Sequence, residues 1–238
     1  MFLDEITMKE FSENLERTKT IIIPYGTVEE HGQHLPLGTD TIIPLEILKE
    51  VSRHCNVFIA PPVHYGVCTS TRQHPGTITI SPDTLRHLTL DIVRDAYKKG
   101  LRNFILLSGH GGGLHINALK EVAEILIEEL DGIKIAVICP YSLLWERLQE
   151  IAETENDSHA GEIETSLIMA LRPELVRGTS EEEYPTFPKP FIVKNKLQYW
   201  PGGVWGNPSK ASAEKGRKVA GLIVDELVSF IKEVESSG

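Results

Sequence analysis

Thr20-Ile-Ile-Ile-Pro24 is an apolar, β-branched run, and a few residues later the chain reads Glu29-Glu-His-Gly-Gln-His-Leu-Pro-Leu-Gly-Thr-Asp40. A short continuous run of this kind reads as a strand buried on both faces, unlike the alternating strand of a half-solvated antiparallel sheet. Residues 57–60, 103–107 and 133–139 have the same character. Segments of helical period separate these strands. Within residues 81–99, Ser-Pro-Asp opens a helix, Leu85, Leu88, Ile92 and Ala96 recur every three to four residues, and Gly100 closes it. Ile116, Leu119, Ala123, Leu126 and Leu130 form a second stripe, and Val219, Leu222, Leu227, Phe230 and Val234 a third. Strands alternating with helices predict an α/β fold with a mainly parallel sheet.

The chain has 238 residues, enough for one substantial domain, so residues 1–238 are expected to form a single unit. Residues 179–207 break the pattern: they carry a Glu-Glu-Glu run, prolines and glycines, and no steady period. An excursion of that length in a compact domain is either functional or packed on another subunit. A net charge of -10 argues against a nucleic-acid or anionic-membrane surface and for a small-molecule substrate. Cys55, Cys68 and Cys139 show no C-x-x-C spacing and read as buried free thiols of a reducing compartment. With no leader-like N-terminus and no apolar run long enough for a bilayer, a cytoplasmic location is expected.

The run from Glu29 to Asp40 holds three carboxylates and two imidazoles in a stretch expected to be a loop at a strand's carboxyl end, where open α/β sheets place their ligands. Such donors suit zinc, manganese or iron. Glu29 and His31, two apart in extended chain, point the same way, which turns Glu30 outward. Pro36 and Gly38 suit a reversal that brings back Asp40, whose two oxygens make it the candidate bridge between two ions. Ser108-Gly-His-Gly-Gly-Gly113 follows the third strand. It lacks both the Walker and the dinucleotide glycine patterns, so its glycines read as room for close backbone approach, with His110 as a nitrogen ligand. Ser158-His-Ala-Gly-Glu-Ile-Glu-Thr-Ser166 opens an apolar helix. One acid there could merely serve the helix dipole, but that does not account for two acids and a histidine.

Together these stretches resemble the creatininase family of metal-dependent amidohydrolases, whose pattern is G-[ST]-x-E-x-H-G-x-H-L-P-x-x-x-D, then a G-H-G-G-type turn, then H-A-G-x-x-E-T-S. Here these are residues 26–40, 108–113 and 159–166. The resemblance implies a three-layer α/β/α sandwich with a four-stranded central sheet and hydrolysis of a non-peptide amide-type C–N bond. It further implies two divalent ions per subunit and assembly into homo-oligomers, often hexamers. It assigns Glu29, His31, Asp40 and His110 to metal, with Asp40 bridging. One position departs: a family glutamate two residues after the turn histidine is Gly112 here, leaving Glu162 as the nearest replacement ligand. That departure looks more like the family branch of formamide hydrolases acting on a formylamino-pyrimidine nucleotide than like creatininase proper.

On this reading a hydroxide shared by the metals attacks a substrate carbonyl, His159 protonates the departing nitrogen, and Glu164 orients His159 or moves a proton itself. His34, Arg72, Gly111 and Gly112 are candidate substrate-binding residues, with Arg72 suited to a phosphate. Tyr25, His64, His74 and Trp145 are further candidates for the pocket wall. Three other readings remain: hydrolysis of creatinine itself, a non-catalytic metal or ligand-binding subunit, and a two-metal phosphoesterase. The last would want more basic residues near the metal loops.

Overall fold

The computed structural model describes residues 1–236 and contains the expected parallel sheet. Strands β1 (Thr20–Tyr25), β2 (Phe58–Ile59), β3 (Asn103–Ser108) and β4 (Lys134–Ile138) lie in the order β2-β1-β3-β4, all parallel. The register sets Ile22 between Ile59 and Ile105. The helices are α1 (Met8–Leu15), α2 (Thr39–Val51), α3 (Pro82–Lys98), α4 (Gly113–Glu129), α5 (Pro140–Leu143), α6 (Trp145–Gln149), α7 (Glu162–Leu171) and α8 (Ala213–Ser236).

Strand β1 is buried along its whole length because both its faces are covered. Ile22 packs with Ile43, Ile47, Ile163, Leu167, Val219 and Ile223 of α2, α7 and α8, whereas Ile21, Ile23 and Tyr25 pack with Leu85, Val93, Ala118, Leu119 and Val122 of α3 and α4. The side chains alternate across the pleat into two cores, which gives a three-layer α/β/α sandwich. Burial of each such side chain stabilises the fold by roughly 1.5–3 kcal/mol, so the apolar strands need helices on both sides.

Helix α3 begins as expected, with Ser81 accepting from the Thr84 N–H at 3.1 Å. Its buried line, however, runs Leu85, Thr89, Val93, while Leu88 is 40% exposed. Steps of four keep to the row that faces α4, and Leu88 falls beside it. In α4 the buried row is His115, Ala118, Leu119, Val122 and Leu126, which shares Leu119 and Leu126 with the expected stripe and puts His115 and Val122 where Ile116 and Ala123 were expected. In α8 it is Val219, Ile223, Leu227 and Ile231.

Helix α2 takes in the last two residues of the stretch expected to be loop, so Asp40 sits in its first turn. Pro44 lies inside this helix and lacks the N–H that would close on the Asp40 carbonyl. Gly109 fills that space: a Cβ there would stand 2.0 Å from the Asp40 carbonyl oxygen. The glycine after β3 therefore brings the two motifs into backbone contact.

No helix or strand forms between residues 176 and 207, yet this excursion is tied to the body. Ser180 Oγ accepts from the Gln33 N–H at 2.9 Å, the Gly203 carbonyl accepts from the Gly32 N–H at 3.1 Å, and Trp205 bridges His159. No helix among the described residues is long and apolar enough to cross a membrane.

Candidate metal centre

From β1 the chain connects toward β2 at one edge, and from β3 toward β4 at the other, so a crevice opens past the carboxyl ends of the two central strands. Four elements deliver side chains there: Glu29 and His31 after β1, Asp40 from the start of α2, His110 after β3, and His159 with Glu164 at the start of α7.

Asp40 stands between two groups. Its Oδ2 lies 3.1 Å from His110 Nδ1, and its Oδ1 lies 3.2 Å from His31 Nε2. On the first side, Glu29 Oε2 is 2.9 Å from the same His110 Nδ1. On the second, Glu164 Oε2 is 3.6 Å from His31 Nε2. Two donors on one ion with bonds of about 2.1 Å at right angles stand about 3 Å apart, so the separations of 2.9–3.2 Å suit shared ligation as well as hydrogen bonding, with the Glu164 contact wider at 3.6 Å. Supporting bonds leave the facing atoms free. His110 Nε2–H donates to the Val67 carbonyl at 3.2 Å and His31 Nδ1–H to the Glu29 carbonyl at 3.1 Å, so the other nitrogen of each ring is the one turned toward Asp40. The hydroxyls of Thr71 and Thr27 donate to Glu29 Oε1 and Asp40 Oδ2.

The electrostatics call for cations. Glu29, Asp40 and Glu164 are all buried, and among the described residues no lysine or arginine pairs with any of them. Apart from its close approach to His110 Nδ1, Glu29 Oε2 makes no hydrogen bond of regular geometry among the described residues. Burial alone would lower the His31 pKa, but Asp40 and Glu164 outweigh it and lift it to about 10. In His110, burial is likewise outweighed by Glu29 and Asp40, and the pKa stands well above the usual imidazole range. For Glu164, burial dominates and raises the carboxyl pKa despite His31. Two imidazoles against three carboxylates leave a deficit of positive charge that one or two divalent ions satisfy, and the donor set of carboxylate oxygen and imidazole nitrogen fits zinc, manganese or iron.

His159 stacks on His31 with ring centroids 4.3 Å apart. Its Nε2–H donates to the Glu30 carbonyl at 2.8 Å and lies 3.4 Å from the Glu30 carboxylate. Burial and His31 would lower its pKa, but Glu30, Glu29 and Glu164 together raise it. The centre forms the floor of a cavity of about 270 Å³ whose walls include Gly111, Gly112, Tyr141, Trp145, Trp200 and Trp205.

Several expectations need correction. Glu162 is not part of the cluster. Its buried carboxylate takes the Lys215 ammonium at 2.5 Å and the N–H groups of Glu153 and Thr154 at 2.8–3.1 Å, because the first turn of α7 points residue 162 toward α8 and residue 164 toward His31. His34 does not reach the cavity: its two nitrogens are engaged by the Ser180 and Thr165 hydroxyls at 2.8 Å each, clamping motif to excursion. Arg72 and His64 are exposed outside the cavity, Tyr25 is buried in the core, and His74 is held by the Thr71 and Trp200 carbonyls. Glu30 does turn away from the metal groups, but toward His159 rather than solvent.

The sequence reading missed Thr27, Thr71, Tyr141, Trp200 and Trp205. The two tryptophans sit in the excursion, whose lack of period carried no signal beyond their presence. Gly112 is more than an empty position: a Cβ there would lie 2.2 Å from His110 Nε2, so the ring requires glycine.

The family profile of creatininase, creatinine amidohydrolase, matches residues 4–231. A 3-dehydro-scyllo-inosose hydrolase of Thermotoga maritima is 26% identical, over 98% of this chain and 83% of that protein. A mycofactocin precursor peptide peptidase of Mycobacterium ulcerans is 30% identical over 89% and 84%, and a creatinine amidohydrolase of Pseudomonas putida 25% over 98% and 96%. Among solved structures, a manganese creatininase superimposes with a TM-score of 0.84 at 25% identity, covering 98% of this chain and 97% of that one. A mutant creatininase of Zn–Zn type gives 0.85 at 24%, with the same coverage, and shows the shared fold. A match running through nearly the whole chain, over the same parallel sheet, makes this protein a member of the creatininase family of amidohydrolases.

Proposed function

We propose that this chain binds two divalent ions, one between Glu29, Asp40 and His110 and the other between His31, Asp40 and Glu164, and hydrolyses an amide-type C–N bond of a small, uncharged molecule. The observation that carries the reading is Asp40, whose two oxygens each face a different imidazole. Bound there, such ions polarise a carbonyl and lower the pKa of water from 15.7 toward about 7.

The chain's own groups supply the rest. His159 lines the cavity beside the centre, with Nε2 fixed on Glu30 and Nδ1 left to carry a proton toward the departing nitrogen. Glu164 Oε2 accepts from the Ala160 N–H at 2.7 Å, so the same carboxylate that faces His31 also fixes the backbone beside His159. The Tyr141 hydroxyl, buried and without a partner, stands at the wall as a donor for a substrate oxygen. Trp145, Trp200 and Trp205 offer flat apolar surface to a planar amide.

Among the described residues no lysine or arginine lines the cavity, which favours a cyclic amide or a simple formamide over a nucleotide and disfavours phosphoester chemistry. The test is turnover of creatinine, other cyclic amides, formamides and phosphodiesters by the metal-loaded protein, with and without chelator. Chelator-sensitive release of amine or formate supports the reading. Phosphate-ester cleavage, or metal-loaded protein inert toward every amide, contradicts it.

A further inference from the structure

Cys68 belongs to none of the three motifs that carry the family pattern, yet it lies against the candidate metal centre. It is fully buried, and its Sγ, a carboxylate oxygen of Glu29 and a ring nitrogen of His110 all lie within 4.8 Å of one another. The segment that presents it is pinned on both sides. The Val67 N–H donates to His115 Nδ1 at 3.1 Å, the Val67 carbonyl accepts from His110 Nε2–H, and the Cys68 N–H donates to Thr79 Oγ1 at 2.9 Å. Within the same group Glu29 Oε2 is buried, faces His110 Nδ1 at 2.9 Å, and makes no hydrogen bond of regular geometry among the described residues. A buried carboxylate oxygen, a ring nitrogen and a thiol sulfur gathered this closely are placed as donors to one ion.

We propose that Cys68 supplies a thiolate to the ion held by Glu29, Asp40 and His110, and that this donor makes the site prefer zinc over manganese. The inference rests on the metal-centre reading above and adds a fourth donor to it. Oxygen and nitrogen donors alone accept manganese and zinc alike, whereas a thiolate selects the softer ion. One carboxylate pair, one imidazole and one thiolate make the four-donor set that tetrahedral zinc takes, with a longer bond to sulfur of about 2.3 Å. Binding is balanced by loss of the thiol proton to solvent as the metal–sulfur bond forms. The other buried thiol behaves differently. Cys139 Sγ lies beside the backbone of Gly111 and joins none of the candidate donor groups among the described residues.

The experiment is cobalt(II) substitution of the full chain, read by absorption, with zinc and manganese affinities measured alongside. Wild-type protein is expected to show visible ligand-field bands and a near-ultraviolet thiolate-to-cobalt charge-transfer band. Cys68→Ser should keep the ligand-field bands and lose the charge-transfer band, whereas Cys139→Ser should keep both. The zinc-over-manganese affinity ratio should fall in Cys68→Ser by at least about tenfold, the low end of what losing even a supporting group does. Ligand-field bands without charge transfer in the wild type overturn the Cys68 assignment and leave the centre standing. Failure to bind cobalt at all overturns both. The wild-type spectrum decides the matter even where a variant does not fold.

Discussion

Glu162→Gln separates an acid that shapes the site from the acids proposed to hold metal. The Glu162 carboxylate is fully buried and meets the Lys215 ammonium at 2.5 Å, and it also accepts from two backbone N–H groups. The amide oxygen of glutamine can still accept from the backbone, so the loss falls on the ion pair. Lys215 keeps Glu153 at 2.6 Å, but that acid is 61% exposed and well screened. Breaking a fully buried pair costs about 3–5 kcal/mol and an exposed one at most about 1, so this half-screened case should cost about 2 kcal/mol. For a chain of this length that is a drop in Tm of about 4–8 °C. The pH dependence has a definite sign. Burial would raise the Glu162 pKa, but Lys215 and the N–H donors outweigh it and hold the group below its ordinary value of 4.5. The folded protein then binds this proton less tightly than the unfolded chain. The stabilisation is therefore present above pH 4.5 and lost as pH falls through the depressed folded value. Calorimetry across that range should show a shallower acid limb in Glu162→Gln, while metal analysis shows the wild-type ion content. A variant that keeps its Tm but loses an ion would refute the structural role and return Glu162 to the ligand set.

His159→Ala should keep its metal and lose turnover by about 10²-fold or more, as removal of a general acid does; an undiminished kcat would take His159 out of the mechanism. Gly112→Ala places a methyl 2.2 Å from His110 Nε2 and must turn or push that ring, so metal affinity should fall by about tenfold or more. Isothermal titration measures it, and wild-type affinity in that variant would show that the ring has room the structure does not give it.

The fold was legible because it rests on local signals. Four apolar runs marked four strands, three of them buried and the edge strand β4 only half-buried, and Ser81 and Gly100 marked the ends of α3. Helix α2 was not legible: Gly38 at its start reads as a turn residue, Pro44 lies within it, and only contact with Gly109 gives Pro44 a purpose there. In the site, the spacing of Glu29, His31 and Asp40 was enough to group them. The choice between Glu162 and Glu164 was not: two residues apart on a helix point about 200° apart, and only the position of α8 decides which acid meets Lys215. Trp200 and Trp205 arrive from an excursion with no periodicity, by long-range contacts such as the Trp205 bridge to His159. For Cys68 the sequence supports only a buried free thiol, since a single cysteine in an apolar stretch gives no hint of a carboxylate and an imidazole folded against it.

The central claim is that Asp40 joins two metal sites through its two oxygens. Metal content per chain after equilibrium dialysis against zinc tests it directly, in wild type, Glu164→Gln and Asp40→Asn. The expected result is two ions in the wild type, one in Glu164→Gln, and at most one, weakly held, in Asp40→Asn. Two tightly held ions in Asp40→Asn would contradict the bridge, and a single ion in the wild type would contradict the two-site centre itself.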